Sequence, residues 1–160
     1  MAFVDWIEST ALSIWMIDSI WAYPIVLSTH AVGMSIVVGT IVIVDLRILG
    51  FASKIPLNSF GRLFIVSWIG VALNFLSGVA LFTADPAQFL YHPVFWIKIG
   101  LIIVGAVLVY VMWREVKPDK EKPDENSEAS ARTRSIAKLS LLLWAGVIVA
   151  GRLIAYIELS

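Results

Sequence analysis

The sequence predicts an all-α integral membrane protein: a bundle of four transmembrane helices preceded by an N-terminal interfacial helix. Hydrophobic residues make up 59% of the 160-residue chain, whereas an average soluble domain contains about 45–50%, and the mean hydropathy is +0.88. Four windows reach the roughly 20 mostly apolar residues that a helix needs to cross a bilayer. Together these observations identify the lipid bilayer as the surroundings of most of the chain.

The charge balance and the absence of cysteine exclude several classes of function. Lys and Arg number 12, as do Asp and Glu, so the net charge is zero. A nucleic-acid-binding surface needs an excess of basic residues, and we therefore expect no nucleic-acid partner. The chain contains no cysteine, which excludes disulfides, iron–sulfur clusters and zinc sites built from thiolates.

Residues 1–21 are predicted to form an interfacial helix rather than a signal peptide or a further span. The first ten residues, MAFVDWIEST, carry acidic side chains where a secretory signal needs basic ones. Asp5, Glu8 and Asp18 make a spanning segment costly, and the tryptophans of this segment are typical of helices anchored at a membrane surface. Residues 22–160 are then the transmembrane domain.

The transmembrane domain contains four predicted spans and one long loop. Pro24 and Pro93 lie near the starts of the first and third spans, where a missing N–H costs little. The segment 115–135 is charged, contains prolines and has no periodic apolar face, so it is predicted to be a flexible, solvated loop. The predicted spans are about 22–46, 62–84, 94–114 and 136–157.

The distribution of basic residues predicts the orientation of the spans. Of the 12 Lys and Arg residues, only Lys98 and Arg152 lie toward the side of the chain termini. The positive-inside rule then places both termini outside and the charged loop in the cytoplasm. The predicted location is the bacterial inner membrane, so that outside means the periplasm. The other basic residues are Arg47, Lys54, Arg62, Arg114, Lys117, Lys120, Lys122, Arg132, Arg134 and Lys138.

Four polar side chains from four different spans are predicted to lie near one depth on the outer side. They are His30, Asn74, Lys98 and Arg152, placed by the helical rise of about 1.5 Å per residue. A charge or strong dipole that faces lipid is costly, so these side chains should point into the bundle or reach the interface. Lys98 and Arg152 are close enough to the surface to reach it, and Asn74 has a helix-packing alternative. The imidazole of His30 is too short for that.

Neighbouring residues on the same helical faces extend this candidate site. Gly33 lies beside His30 and is expected to leave room for something flat or bulky. Arg152 and Tyr156 share one face of the fourth span. Such stripes are more often packing surfaces, but with His30 they outline a cavity that contains an imidazole, two cations and small residues. The candidate cofactor-binding residues are His30, Gly33, Asn74, Lys98, Arg152 and Tyr156.

Haem b is the cofactor that this set predicts first, with copper as the alternative. A histidine in an apolar bundle can hold haem iron, here His30 as the metal ligand, and Lys or Arg can pair with the propionates. His92 lies about 10 Å higher by helical rise and is better explained as an N-cap or interfacial residue. His30 and Met34 form an imidazole–thioether pair one turn apart that suits Cu(I), with Met16 or Met112 as further ligands.

Two stretches resemble a known group of proteins. STHAVGMSIVVGTIVIVDLRILGF, residues 28–51, resembles the first helix of the small bacterial membrane proteins grouped with the HemJ-type protoporphyrinogen oxidases and the CopD copper-resistance proteins. HPVFWIKIGLIIVGAVLVYV, residues 92–111, resembles their later helix, in which a Trp precedes a Lys. The resemblance implies a four-helix bundle, a haem-contacting role for His30 and a catalytic role for Lys98. The chain departs from the group by lacking a Trp midway along the first helix and by its N-terminal segment and charged loop, which indicates a relative that shares the scaffold.

Three functions are compatible with these observations. The first is a b-type haem-binding protein that acts in electron transfer or in quinone or porphyrin redox chemistry, and a haem-dependent oxidoreductase activity would belong to it. The second is a non-catalytic membrane subunit or anchor of a larger complex, with a membrane or periplasmic protein or a second copy of the chain as partner. The third is a CopD-like, copper-handling membrane protein.

Overall fold

The part of the chain that the structure describes is all-α. A computed structural model describes residues 2–51, 61–116 and 130–154, and no strand occurs among them. The helices are α1 (Ala2–Glu8), α2 (Ala11–Asp18), α3 (Ala22–Ile48), α4 (Gly61–Ala84), α5 (Pro86–Tyr91), α6 (Pro93–Val116) and α7 (Ala131–Leu153).

Four helices, α3, α4, α6 and α7, are long and apolar enough to cross a membrane. The protein is therefore a multi-pass, all-α membrane protein, as its hydropathy predicts. The largest difference from the predicted spans is at α7, which begins at Ala131 because Ser130 caps it: the Ser130 hydroxyl accepts a hydrogen bond from the Thr133 N–H at 3.1 Å. The rest of the predicted loop between α6 and α7 lies outside the described residues.

The N-terminal segment forms two short helices where the sequence predicts one. The Thr10 hydroxyl donates to the Ile7 carbonyl at 2.6 Å and accepts from the Ser13 N–H at 3.3 Å, so it ends one turn and caps the next helix. α1 and α2 are too short to span a bilayer. They expose large apolar side chains, including Phe3 and Trp6, as expected of helices that lie at a membrane surface.

The connection between α4 and α6 contains a short helix that the sequence did not reveal. Asp85 caps α5 by accepting from the Gln88 N–H at 3.0 Å, and Pro86 occupies its first turn. His92 ends α5, directly before α6 begins, and is only 1% exposed. His92 therefore lies at the position predicted for an N-cap of α6, and it is buried rather than exposed at an interface.

The chain divides into two compact units, and α3 contributes to both. The first consists of Met1–Val37 and Ile65–Pro93, and the second of Val38–Phe64 and Val94–Ser160. In the first unit α1 packs against α2 and α5. Met16 of α2 packs there in an apolar cluster with Ala22, Ala80 and Leu81.

In the second unit, the end of α3 packs against the start of α7. Ile48 and Ala137 form the centre of this contact, with Val109 of α6 packed against them. Gly50, at a φ of 101°, then ends α3 in a left-handed conformation that favours glycine. The buried face of α7 is one helical stripe made up of Thr133, Ala137, Ser140, Trp144, Val147 and Ala150.

Candidate functional site

A close contact between α3 and α4 organises the first unit. A Cβ built on Gly33 would lie 2.7 Å from the backbone nitrogen of Asn74, and one built on Gly70 would lie 2.7 Å from Cγ2 of Ile36. Side-chain carbons do not approach other atoms this closely, so the two helices require glycine at both positions. Small residues at helix contacts are expected in lipid, where no strong hydrophobic force holds helices together.

His30 lies in this contact and is held by α4. The imidazole rests on Gly78, since a Cβ built there would lie 3.2 Å from Cε1 of His30. Nδ1 is 3.0 Å from the Ser77 hydroxyl, and Nε2 is 3.4 Å from the amide nitrogen of Asn74. The same amide donates to the backbone carbonyl of His30 at 3.0 Å. Both ring nitrogens therefore have partners on α4.

The hydrogen bonds around Ser77 determine which nitrogen of His30 carries the proton. The Ser77 hydroxyl has one hydrogen, and its shortest contact is with the Leu73 carbonyl at 2.5 Å, to which it donates. It must then accept from Nδ1–H of His30. Nε2 is left with its lone pair, which faces an amide N–H of Asn74. The network thus assigns the neutral Nδ1–H tautomer.

This tautomer is suited to metal ligation at Nε2. Metal-binding histidines commonly donate their other N–H to a neighbouring acceptor, which fixes the orientation of the ring. A metal–imidazole bond is about 2 Å long, whereas the Asn74 amide is 3.4 Å from Nε2. A metal ion would therefore take the place of the amide hydrogen, and the Asn74 side chain would have to turn away. Nε2 of His30 can therefore ligate a haem iron if the Asn74 side chain turns away.

The room that was expected beside Gly33 is occupied by α4. The backbone of Asn74 and the carbonyl oxygen of Gly70 would both lie within 3.1 Å of a Cβ at Gly33. A flat cofactor has no place on that side of the imidazole. The glycine instead permits close packing, which agrees with the helix-packing alternative stated for Asn74.

The remaining candidate residues belong to the second unit or lie outside the described residues. Nζ of Lys98 is 3.6 Å from a Cβ built on Gly151, so the ammonium lies against α7 one residue before Arg152. His30, Gly33 and Asn74 are brought together in the first unit. Tyr156 lies outside the described residues.

Sequence reasoning missed a second polar position on α3. Asp45 is 0% exposed, and Ser140 of α7, whose hydroxyl is beside it, is also 0% exposed. Within the described chain, the two carboxylate oxygens of Asp45 and the Ser140 hydroxyl have no partner in hydrogen-bonding geometry. An aspartate in an apolar window is itself a functional signal in membrane proteins. The run TIVIVDLRILG contains such an aspartate, so the position could have been identified from the sequence.

The described residues contain no group of three or more His, Cys, Asp and Glu side chains that could hold a metal ion. This finding concerns metal sites built entirely from protein side chains. It does not concern haem, because a haem iron needs only one or two protein ligands. Met16, a candidate copper ligand, is 2% exposed within the apolar cluster of the first unit. The side chain of Met112 lies outside the described part of the chain.

The sequence profile of a family described as a family of unknown function, DUF6644, matches residues 3–157. The chain belongs to this family. No curated protein and no solved structure matches this DUF6644 protein at a significant level. The match includes all of α2 to α7, so the candidate site of α3 and α4 lies within the family's own domain.

The arrangement in this DUF6644 protein is compatible with two roles. Nε2 of His30 can ligate a metal or accept a proton, because Ser77 holds the proton on the other nitrogen. The glycine contacts of α3 and α4 support helix association without any chemistry.

Proposed function

We propose that this DUF6644 protein is a bacterial inner-membrane protein that binds b-type haem through Nε2 of His30. It would take part in electron transfer or in redox chemistry of a quinone or porphyrin, either alone or with a protein partner. The observation that carries the proposal is the hydrogen bond from Nδ1–H of His30 to Ser77 at 3.0 Å. It fixes the ring so that a lone pair on a membrane-embedded imidazole is available to a metal.

The residues of the chain would have separate roles toward the cofactor. His30 would hold the iron, Ser77 would orient the imidazole, and Asn74 would occupy Nε2 when no metal is bound. From the sequence alone, Lys98 and Arg152 are predicted contacts of the propionates or the substrate, and Lys98 is the predicted catalytic residue. The haem would supply one-electron redox chemistry when it is bound.

Exchanging the two histidines of the chain one at a time tests the proposal. His30→Asn and His92→Asn make the same chemical change, once at the proposed ligand and once at a buried residue at the end of α5. Protein purified in mild detergent from haem-sufficient cells should give Soret and α bands in the reduced-minus-oxidised spectrum. His30→Asn should lose both bands, and His92→Asn should keep them.

Two results would decide against haem at His30. One is a wild-type protein without a Soret band despite an adequate haem supply, and the other is a His30→Asn variant with an unchanged spectrum. Metal analysis of the same samples distinguishes the alternative: copper in place of iron, lost on changing Met34 as well as His30, would favour a CopD-like copper-handling protein.

The proposed orientation places both termini in the periplasm. It is supported by the concentration of Lys and Arg on the side of the loops that follow α3 and α6. A C-terminal alkaline phosphatase fusion should therefore be active and a C-terminal green fluorescent protein fusion should be dark. The opposite pair of signals would reverse the topology and place His30 on the cytoplasmic side.

A non-catalytic membrane subunit is the second candidate, and α6 favours it. Only 6% of its span Pro93–Val111 is buried, compared with 28% in α3 and in α7. Gly100 lies in this helix, and a Cβ built on it meets nothing within 4 Å. Among large exposed neighbours such as Trp96 and Val104, it forms a notch that would admit a helix of a partner.

Two glycine substitutions on α6 test this candidate. Gly100→Ile should leave the isolated protein folded, because the added side chain meets no atom of the described chain, yet it should prevent co-purification of a partner. Gly105→Ile should unfold the protein itself, since a Cβ there would lie 2.8 Å from Leu143 and 3.2 Å from Trp144. Unchanged co-purification with Gly100→Ile would remove α6 as the partner surface.

A further inference from the structure

Asp45 is a buried acid for which the described chain provides no counter-charge. The residue is 0% exposed, and both carboxylate oxygens are buried without a partner in hydrogen-bonding geometry among the described residues. Native proteins rarely leave buried polar atoms unpartnered, and a carboxylate inside a membrane span is among the costliest cases.

The packing of α3 on α7 places Ser140 opposite this carboxylate. Ile48 packs on Ala137 and Asp45 lies beside Ser140, so the two helices run antiparallel at this contact. Asp45 lies one turn before Ile48 on α3, and Ser140 lies one turn after Ala137 on α7. The two polar residues therefore occupy the next layer of the same contact. The Ser140 hydroxyl is 0% exposed, lies beside the carboxylate and is itself unpartnered. Three buried oxygen atoms therefore converge between the two helices.

No charged side chain of the described residues compensates Asp45. The elements packed around this contact present Val109 from α6 and Ile136 from α7, both apolar. Arg47 of α3 and the arginines in the first turns of α7 make interactions of their own. Within the described residues, the Ser140 hydroxyl is the polar group that lies beside the carboxylate. The counter-charge must therefore come from outside the described chain.

We propose that Asp45 and Ser140 form a binding site for one monovalent cation, H⁺ or Na⁺, between α3 and α7. The single negative charge of one carboxylate is balanced by a single positive charge, which a divalent ion would exceed. The three oxygen atoms are hard ligands and suit a proton or an alkali ion, whereas Cu(I) prefers thioether, thiolate and imidazole ligands. The site is independent of His30, which belongs to the first unit, so either proposal can fail without the other.

The test uses the full-length protein in mild detergent and compares three variants. Asp45→Asn keeps the size of the side chain and removes the charge, so it imitates the occupied site and should fold. Asp18→Asn makes the same change at an exposed position at the end of α2 and is the matched control. Ser140→Ala removes the third oxygen and should weaken cation binding without removing the charge.

Thermal unfolding in sodium chloride and in choline chloride at equal ionic strength tests for Na⁺. If Na⁺ is the ligand, a saturating concentration should raise the melting temperature of the wild type and of Asp18→Asn by about 5–10 °C. Asp45→Asn should show no such rise, and Ser140→Ala should need a higher sodium concentration for the same rise.

Infrared spectroscopy of the same samples tests for H⁺. If a proton is the ligand, sodium should have no specific effect, and the wild-type spectrum should contain a protonated-carboxyl C=O band at neutral pH that disappears in Asp45→Asn but not in Asp18→Asn. A wild type with neither a sodium-dependent rise nor this band would overturn the proposal. The same conclusion would follow if Asp45→Asn matched the wild type in both measurements.

Discussion

α3 carries His30 and Asp45 inside its apolar length, and the helices packed beside them offer these two side chains different partners. His30 faces α4, which supplies a partner for both ring nitrogens and a glycine surface under the ring. Asp45 faces α7, which supplies one hydroxyl beside the carboxylate and no counter-charge among the described residues. The first position is complete within the chain, whereas the second needs a charge from elsewhere.

The difference separates two reasons for keeping a polar group in a membrane helix. A satisfied group such as His30 can order a helix contact, and any ligand that it takes must displace Asn74. An unsatisfied group such as Asp45 destabilises the contact until a ligand arrives, so binding and stability are coupled there. The two sites should therefore lose different amounts of stability when their serine partners are removed.

The largest expected effect comes from breaking the contact that holds His30. Gly33→Ala would place a carbon 2.7 Å from the backbone of Asn74, which cannot move aside as a side chain could. We expect a loss of about 3 kcal/mol or more in the free energy of unfolding. The measurement is thermal unfolding in detergent, followed by size-exclusion chromatography of the heated sample.

Gly39→Ala is the matched control for that change on the same helix. A Cβ at Gly39 meets nothing within 4 Å, and alanine is favoured over glycine inside a helix by about 0.5–1 kcal/mol. This variant should be as stable as the wild type or more stable. Equal melting temperatures for the two variants would show that α3 and α4 are not in close contact.

A matched pair of serine substitutions sharpens the comparison at intermediate size. Ser77→Ala leaves Nδ1–H of His30 without its acceptor, which should cost about 1–2 kcal/mol. Ser140→Ala removes a hydroxyl that has no partner in the described chain, so its effect in cation-free buffer should stay within about 0.5 kcal/mol. Thermal unfolding of both variants in choline chloride measures the difference.

The opposite ranking of the two serines would contradict the structure at both positions. It would mean that Ser140 makes the stronger hydrogen bond and that Ser77 contributes little. Repeating the experiment in sodium chloride adds a check, because only Ser140→Ala should then change its response to the cation.

The four spans could be predicted from the sequence because lipid imposes a strong requirement on composition. A run of about 20 apolar residues is visible without knowledge of packing, and the four long helices confirm it. The break at Thr10 and the helix α5 were missed because both depend on local capping hydrogen bonds. Such bonds compete with continued helix only weakly and leave a weaker trace in the sequence than hydropathy does.

The candidate site was predictable only in part, for a geometric reason. His30 and Asn74 could be assigned to a similar depth from the helical rise, and the structure brings them together. The space beside Gly33 could not be predicted, because a glycine serves a cofactor and a close helix equally well in sequence. Asp45 was overlooked because it stands near Arg47 at the end of α3, where a charged residue is expected to reach water, whereas the structure buries it completely.

A small expected effect on stability, and a decisive one for the haem proposal, comes from Asn74→Ala. This change removes the amide that donates to the His30 carbonyl at 3.0 Å and approaches Nε2 at 3.4 Å. Hydrogen bonds between membrane helices contribute about 0.6 kcal/mol on average, so the melting temperature should fall by only a few degrees. The Soret band should persist or increase, because Nε2 loses its competitor. Loss of the band without unfolding would instead make Asn74 part of the haem site, and the structure of α3 and α4 would then have to open for the cofactor to enter.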